Sequence, residues 1–430
     1  MTGNRDPRDE ILQVMERIYR YRMTTTSGGN LSIRDEDGTV WITPAAVDKG
    51  SLRRSDIVRV GADGVTGGRP PSSELPLHRA VYRARPDVRG ILHAHPVALV
   101  AFSLVHAVPN TRLLHQSRQV CGEGGFARYE LPGSAALGES VAGAFADGHD
   151  SVILENHGVA TAGASLQEAF RKFETLEFTA RTIIRAEALG GVPRYLDDRA
   201  LALAAGLRPD LPAPDPGACL PEAGESTSGA LLCQFVQRAY RQRLFTSTQG
   251  SFSVRTGPSS FLITPYGIDR GSVMPVDLVG VADGRAAAGS HPSRAARLHA
   301  AIYRRRPELG AIVNAYPINA TAFGVCGAEL DTRTIPESYI VVRKLGRASF
   351  EQQFSDPEGV ARLLKGDCVA LLLESNGVLV AGRDILEAFD RLEVLESTAQ
   401  ALIDARGIGS LVPMSDAALR ELDAAFFPGV

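Results

Sequence analysis

Two histidines one residue apart, in Gly90-Ile91-Leu92-His93-Ala94-His95-Pro96, are the sharpest chemical signal in this chain of 430 residues. On a β-strand, residues two apart point to the same face, so His93 and His95 can present both imidazoles to one ion. The same spacing fits a half-buried strand whose histidines are satisfied by ordinary hydrogen bonds, so the pair needs a third ligand to become a metal site. One is available in Ser151-Val152-Ile153-Leu154-Glu155-Asn156-His157-Gly158, an apolar run that ends in a polar turn. His157 then stands at a strand end, where loops carry ligands on a rigid base.

Two further segments carry polar groups in suggestive places. Pro70-Pro71-Ser72-Ser73-Glu74 leads into an amphipathic stretch, and the free N–H groups and hydroxyls of such a helix start form an anion cradle. Glu74 in the first turn can serve as metal ligand or as base, although serine caps and early glutamates are also common in plain helix starts. In Ser27-Gly28-Gly29-Asn30-Leu31-Ser32 the glycines allow a tight turn from which Asn30 can offer its amide to a ligand, an ordinary turn being the alternative.

The elements that must position these residues follow from periodicity. Asp6-Pro7 reads as an N-cap and first helical residue, followed by Ile11, Val14, Met15, Ile18 and Tyr19 on one helical face. Short β-rich runs at 30–34, 39–43 and 57–60 come next, then a helix over 75–85 and buried strands over 90–95 and 151–154. A long helix over 165–188 is expected, with Ser165 and Glu168 as a capping box. This order predicts an α/β fold, a mixed central sheet with helices on both faces.

The pattern then repeats. Leu77-His78-Arg79-Ala80-Val81-Tyr82 returns as Leu298-His299-Ala300-Ala301-Ile302-Tyr303, a shift of 299 minus 78, or 221 residues, and Ile42-Thr43-Pro44 returns as Ile263-Thr264-Pro265. We expect two tandem α/β/α domains, 1–205 and 229–430, joined by a connector over 206–228 that holds Pro209, Pro212, Pro214, Pro216 and Pro221.

Net charge is −3 and no Lys/Arg stripe is present, which excludes nucleic acid as an expected partner. No apolar run approaches membrane-spanning length and 1–10 lacks the apolar core of a signal peptide, so no membrane association is expected. Five scattered cysteines without a C-x-x-C pair fit a reducing cytoplasm. A small anionic molecule is the expected substrate.

In their order and spacing the Gly-Asn loop, the Ile-Thr-Pro strand end, Ser-Ser-Glu, the His-x-His strand and the late His-Gly resemble the class II aldolase/adducin family. That resemblance implies that His93, His95 and His157 bind the metal, with Glu74 as a fourth ligand that exchanges protons with substrate. It further implies that Asn30, Ser72 and Ser73 hold a phosphate or another anionic group. The expected activity is that of a metal-dependent lyase cleaving or forming a C–C bond beside a hydroxyl or carbonyl, the metal stabilising an enediolate. Alternatives on the same site are a decarboxylase of a hydroxy or aromatic acid and a non-heme iron oxygenase. One divalent ion per chain is expected, zinc first, with manganese, iron, cobalt or nickel as the others.

One departure concerns Ala45-Ala46, which replaces the small polar residue and glycine of the phosphate-binding aldolases. In the second repeat every candidate ligand is gone: Glu74 falls on Ala295, His93 on Asn314, His95 on Tyr316, His157 on Asn376 and Asn30 on Ser251. His78 and His299 persist in both repeats and read as structural. Since single-domain relatives form rings of four, the resemblance implies a homodimer of pseudo-fourfold arrangement. In it, Tyr339 and Arg343, with Arg333 and Lys344, approach a neighbour's site and bind substrate.

Overall fold

The computed structural model describes residues 6–66, 68–215, 219–222, 224 and 226–427. Residues 1–5, and 216–218, 223 and 225 of the expected connector with Pro216 among them, lie outside that description. The chain divides into two compact units, Met1–Arg112 with Gln116–Arg181, and Leu113–His115 with Thr182–Val430.

The first repeat contributes α1 (Pro7–Arg20), β1 (Asn30–Arg34), β2 (Val40–Ile42), β3 (Val58–Gly61), β4 (Gly64–Thr66), α2 (Leu75–Ala84), β5 (Gly90–Ala94), α3 (Val97–Leu104), α4 (His115–Cys121), β6 (Gly125–Ala127), α5 (Ala135–Ala146), β7 (Ser151–Leu154), β8 (Gly158–Gly163), α6 (Leu166–Ala188) and α7 (Asp198–Ala205). Its strands form one sheet in the order β4-β3-β2-β1-β5-β8-β7-β6, antiparallel except where β6 runs parallel to β7.

The second repeat contributes α8 (Thr227–Arg241), β9 (Ser251–Arg255), β10 (Ser260–Ile263), β11 (Val279–Ala282), β12 (Arg285–Ala286), α9 (Ala296–Arg305), β13 (Ala311–Ala315), α10 (Ile318–Cys326), α11 (Pro336–Val341), β14 (Lys344–Ala348), α12 (Phe350–Ser355), α13 (Pro357–Leu363), β15 (Cys368–Leu373), β16 (Gly377–Gly382), α14 (Ile385–Arg406) and α15 (Asp416–Phe426). The sheet order β12-β11-β10-β9-β13-β16-β15-β14 is the first order with eight added to each strand. The same fold has been built twice.

Why the central strands read as unbroken apolar runs is clear from the two cores. In β5 and β7, Ile91, Val152 and Leu154 enter a core with residues of α2 and α5, whereas Leu92 and Ile153 enter another with residues of α1, α3 and α6. Alternate side chains therefore meet helices on opposite faces, and both faces exclude water. His93 shares the parity of Ile91, which aims it at the α2 face.

Asp6 caps α1 by accepting the Arg8 N–H at 2.9 Å. Elsewhere the details differ from expectation. The strands expected over 39–43 and 57–60 are β2 and β3, one shorter and one shifted by a residue. Ser165 Oγ accepts the Glu168 N–H at 3.1 Å as a capping box requires, but Glu168 Oε2 returns to the N–H of Ala164 at 3.0 Å, one residue early. Strand β6 is three residues long, too short to show alternation, and helix α3 is apolar on most sides, so neither leaves a periodic signal. No helix among the described residues is long and apolar enough to cross a membrane.

Buried imidazoles make the fold acid-sensitive. His299 on α9 is fully buried, donates from Nε2 to Asn314 Oδ1 at 2.7 Å and meets Ser253 Oγ at 2.7 Å through Nδ1. Burial pulls its pKa from the ordinary 6.5 down to about 4. Below pH 6.5 the unfolded chain takes up a proton that the folded chain refuses, so stability present above that pH is lost as pH falls toward 4. Urea unfolding of the second unit is expected to weaken across this window by at most about 1.4 kcal/mol per pH unit from this group. A His299→Gln variant that keeps the parent's slope would remove His299 from the cause.

Candidate metal centre

Glu74 occupies the N-cap position of α2 with φ −92° and ψ 15°, and its side chain makes no bond to its own helix. The turn is braced instead by Ser72, whose Oγ accepts the Glu74 N–H at 3.3 Å and whose own N–H donates to Thr43 O at 3.1 Å. The carboxylate is thereby free to turn inward and is buried.

There it meets the sheet. The β1–β5 register sets Asn30 directly opposite His93, and Asn30 donates from Nδ2 to Glu74 Oε2 at 2.7 Å. His93 Nε2 lies 3.1 Å from the same oxygen, and His157 Nε2 lies 3.6 Å from Oε1. His95, just past the end of β5, brings its Nε2 to 3.1 Å from that of His93. His157 is held in the β7–β8 turn, where Asn156 adopts φ 52°. The ligand atoms of the three histidines all lie within 4.8 Å of one another. Every one of these residues belongs to the first unit.

The proton positions argue that a cation fits. Val159 O accepts from His93 Nδ1 at 3.0 Å, which leaves a lone pair on Nε2 facing the cluster. That nitrogen is then an acceptor 3.1 Å from another acceptor, Glu74 Oε2, with His95 Nε2 also at 3.1 Å. Glu74 Oε1 is buried without a hydrogen-bond partner. Lone pairs gathered this closely are stabilised by a positive ion between them, and three imidazoles with one carboxylate suit a divalent transition metal.

Charge states agree with this donor set. Burial pulls His95 down to about 3 and His157 to about 4, with the neighbouring His93 adding to both, so these imidazoles are neutral at physiological pH. Burial pushes the Glu74 carboxyl up, but the adjacent His93 and the Asn30 amide outweigh that and hold it well below the usual range. Ligands must be deprotonated to bind a metal, and His95, His157 and Glu74 are.

A second layer lies behind Glu74. His78, one helical turn along α2, donates from Nε2 to Asn30 Oδ1, and its Nδ1 accepts from Ser32 Oγ at 2.6 Å. Ser32 Oγ also meets Tyr82 Oη at 2.8 Å. The chain of donors runs from Tyr82 through Ser32, His78 and Asn30 to Glu74. His78 is not a ligand, as its persistence in both repeats suggested, but it fixes the Asn30 amide; the four-residue spacing from Glu74 was the sequence signal for it. Asn30 thus has both amide atoms committed to protein partners. Ser72 is buried, Ser73 is exposed, and Ala46 holds φ 50° where its counterpart Gly267 holds φ 75°. The left-handed turn is kept despite the Cβ.

The second unit shows the same geometry without the ligands. Asn314 lies opposite Ser251 in the β9–β13 register and accepts from His299. Tyr316 Oη donates to Asn376 Oδ1 at 2.8 Å, and Asn376 Nδ2 donates to Gln353 Oε1 at 2.9 Å. Tyr339 and Arg343 lie in this unit: Tyr339 Oη donates to Asp423 Oδ1 at 2.9 Å, and Arg343 pairs with Asp367 at 3.3 Å and Asp423 at 3.1 Å.

The purified chain is expected to hold about one divalent ion. The His93→Ala plus His95→Ala variant should keep its circular dichroism and fall to background in elemental analysis. Metal content near two per chain in the parent, or unchanged in the variant, would refute this assignment.

A family profile, the Class II Aldolase and Adducin N-terminal domain, matches residues 9–184 and again 230–403. The chain is 30% identical over 172 residues to an L-fuculose phosphate aldolase of Methanococcus maripaludis, covering 40% of this chain and 93% of the relative. It is 31% identical over 195 residues to a 3-oxo-tetronate 4-phosphate decarboxylase of Escherichia coli, covering 44% and 90%. Among solved structures, an L-fuculose-1-phosphate aldolase from Thermus thermophilus is similar with 27% identity and a TM-score of 0.39, covering 44% of this chain and 97% of that one. Class II aldolases depend on a divalent metal, and this chain holds a three-histidine group that could bind one. The chain therefore belongs to the class II aldolase and adducin family, whose domain it carries twice in tandem.

Proposed function

We propose that the chain is a divalent-metal-dependent lyase that breaks or forms a C–C bond beside a carbonyl of a small anionic substrate, at the first unit alone. The observation that supports this most directly is Glu74, an ionised, buried carboxylate with one oxygen unpartnered beside neutral imidazoles. A divalent ion held by His93, His95 and His157, zinc in our assignment with manganese, iron, cobalt or nickel as substitutes, supplies Lewis-acid stabilisation of charge on substrate oxygens. Glu74 is in the base form at neutral pH and accepts the proton of a substrate hydroxyl, returning it to the carbon fragment.

Asn30, oriented by His78, keeps Glu74 aimed into the cluster. Ser72 and Ser73 at the start of α2 receive the anionic end of the substrate. The Cβ of Ala46 and the missing hydroxyl at Ala45 narrow that cradle, which favours a carboxylate, or a phosphate held by fewer contacts. Tyr339 and Arg343 serve substrate from a neighbouring domain of a homodimer; each now binds a carboxylate, so that role exchanges Asp423 for the substrate's anion.

The relative named as a decarboxylase favours a second reading on the same groups. Both reactions break a C–C bond and leave its electron pair beside a carbonyl, and they differ in the fragment released, an aldehyde or carbon dioxide.

Assays with ketose 1-phosphates and with 3-oxo-acid phosphates distinguish the two by product. In either case Glu74→Gln should cut turnover by about 10²–10⁴-fold while substrate still binds. Parent-like turnover by that variant, with the metal in place, would end the acid/base role for Glu74.

A further inference from the structure

The two repeats share a topology but not a surface. At positions 221 apart, Val97 is 72% exposed and Ile318 8%, Leu104 is 61% exposed and Val325 1%, and Tyr129 is 57% exposed and Phe350 9%. Val105 and Leu131, beside them on the first repeat, are 71% and 67% exposed. Three large apolar side chains bare at matched positions, with Val105 and Leu131 exposed beside them, make an apolar face of the kind that soluble proteins keep for a partner.

In the second unit Val325 and Phe350 are met by the segment that follows the long helix of the first repeat. The Arg194 N–H donates to Val325 O at 2.9 Å, and α7 packs Leu196, Leu201 and Ala204 against Phe350 and Phe354. Arg199 pairs with Glu351 at 3.2 Å across the same contact. All of these residues lie in the second unit.

The second repeat has a matching segment that packs on its own unit and leaves its outer apolar side chains exposed. Ser415 caps α15 by accepting from Ala418 as Asp197 caps α7 by accepting from Ala200. At a shift of 218, Leu419 and Leu422 take the places of Leu201 and Ala204. Yet α15 has no buried residue, and Ile408, Val412 and Phe426 are 92%, 86% and 55% exposed. Asp423 pins α15 within its own unit through Tyr339 and Arg343. Glu130 stands where Glu351 receives Arg199, although at the same shift Arg199 itself falls on Ala417.

One chain thus holds a bare apolar face and a matching segment whose outer apolar side chains are exposed. We propose that segment 408–426 of one copy docks on the Val97, Leu104, Val105, Tyr129 and Leu131 face of a second copy, and that the contact is made twice about a two-fold axis. The proposal deepens the homodimer reading above by naming its surface, and it does not depend on the metal chemistry.

Light scattering coupled to gel filtration at low micromolar concentration tests it. The parent should run as a dimer, and Leu104→Asp plus Leu131→Asp, or Leu419→Asp plus Phe426→Asp, should each weaken self-association at least tenfold. The equally exposed control Val276→Asp should leave the dimer intact. Unchanged metal content and thermal unfolding certify that the variants are folded. Mixing the two double variants should restore one of the two contacts and give more dimer than either alone. A dimeric parent that no substitution disturbs would overturn this surface and leave the homodimer standing, whereas a monomeric parent would overturn both.

Discussion

The structure of the first unit depends on keeping one ionised carboxylate, Glu74, out of water beside three lone-pair donors. Burying an unpaired carboxylate is costly, so the group must be bonded, paired or bound to a cation. The chain meets this demand on one side only. Asn30 satisfies Oε2, and Oε1 is left for something the protein does not supply. A carboxylate stabilised halfway is poised for a ligand and a proton.

Several features of the fold exist in the form that this demand requires. The β1–β5 register must bring Asn30 opposite His93, because a shift of one residue would move His93 to the other face. Glu74 must sit at the N-cap without capping, which is possible because Ser72 takes the bracing role. Behind them, the run from Tyr82 through Ser32 and His78 has a single consistent direction of donation, which fixes the His78 tautomer and the way the Asn30 amide faces.

The second unit shows what the fold does when the charge is removed. Tyr303, Ser253 and His299 repeat the same buried run, but with Ala295 in place of Glu74 it ends on Asn314. Tyr316, Asn376 and Gln353 then close the former ligand positions with neutral hydrogen bonds. The sheet order is unchanged, so the cluster of Glu74 and the three histidines is not needed for the fold.

Much of this was legible in the residues. Alternation and helical periodicity are local, so the two-faced sheet, the long helices and the parity of His93 and His95 followed from short windows of chain. The duplication was visible because Leu77-His78 and Leu298-His299 repeat letter for letter, and simultaneous loss of His93, His95, His157 and Glu74 from the second copy marked them as one set. What the tertiary structure alone decided was pairing at a distance. That Asn30 donates to Glu74, that His78 stands behind it, that Tyr339 and Arg343 are held by Asp423, and that Val97 is bare where Ile318 is covered all depend on which segments meet. Such meetings are set by strand register and by packing between residues far apart in the chain, and no local pattern records them.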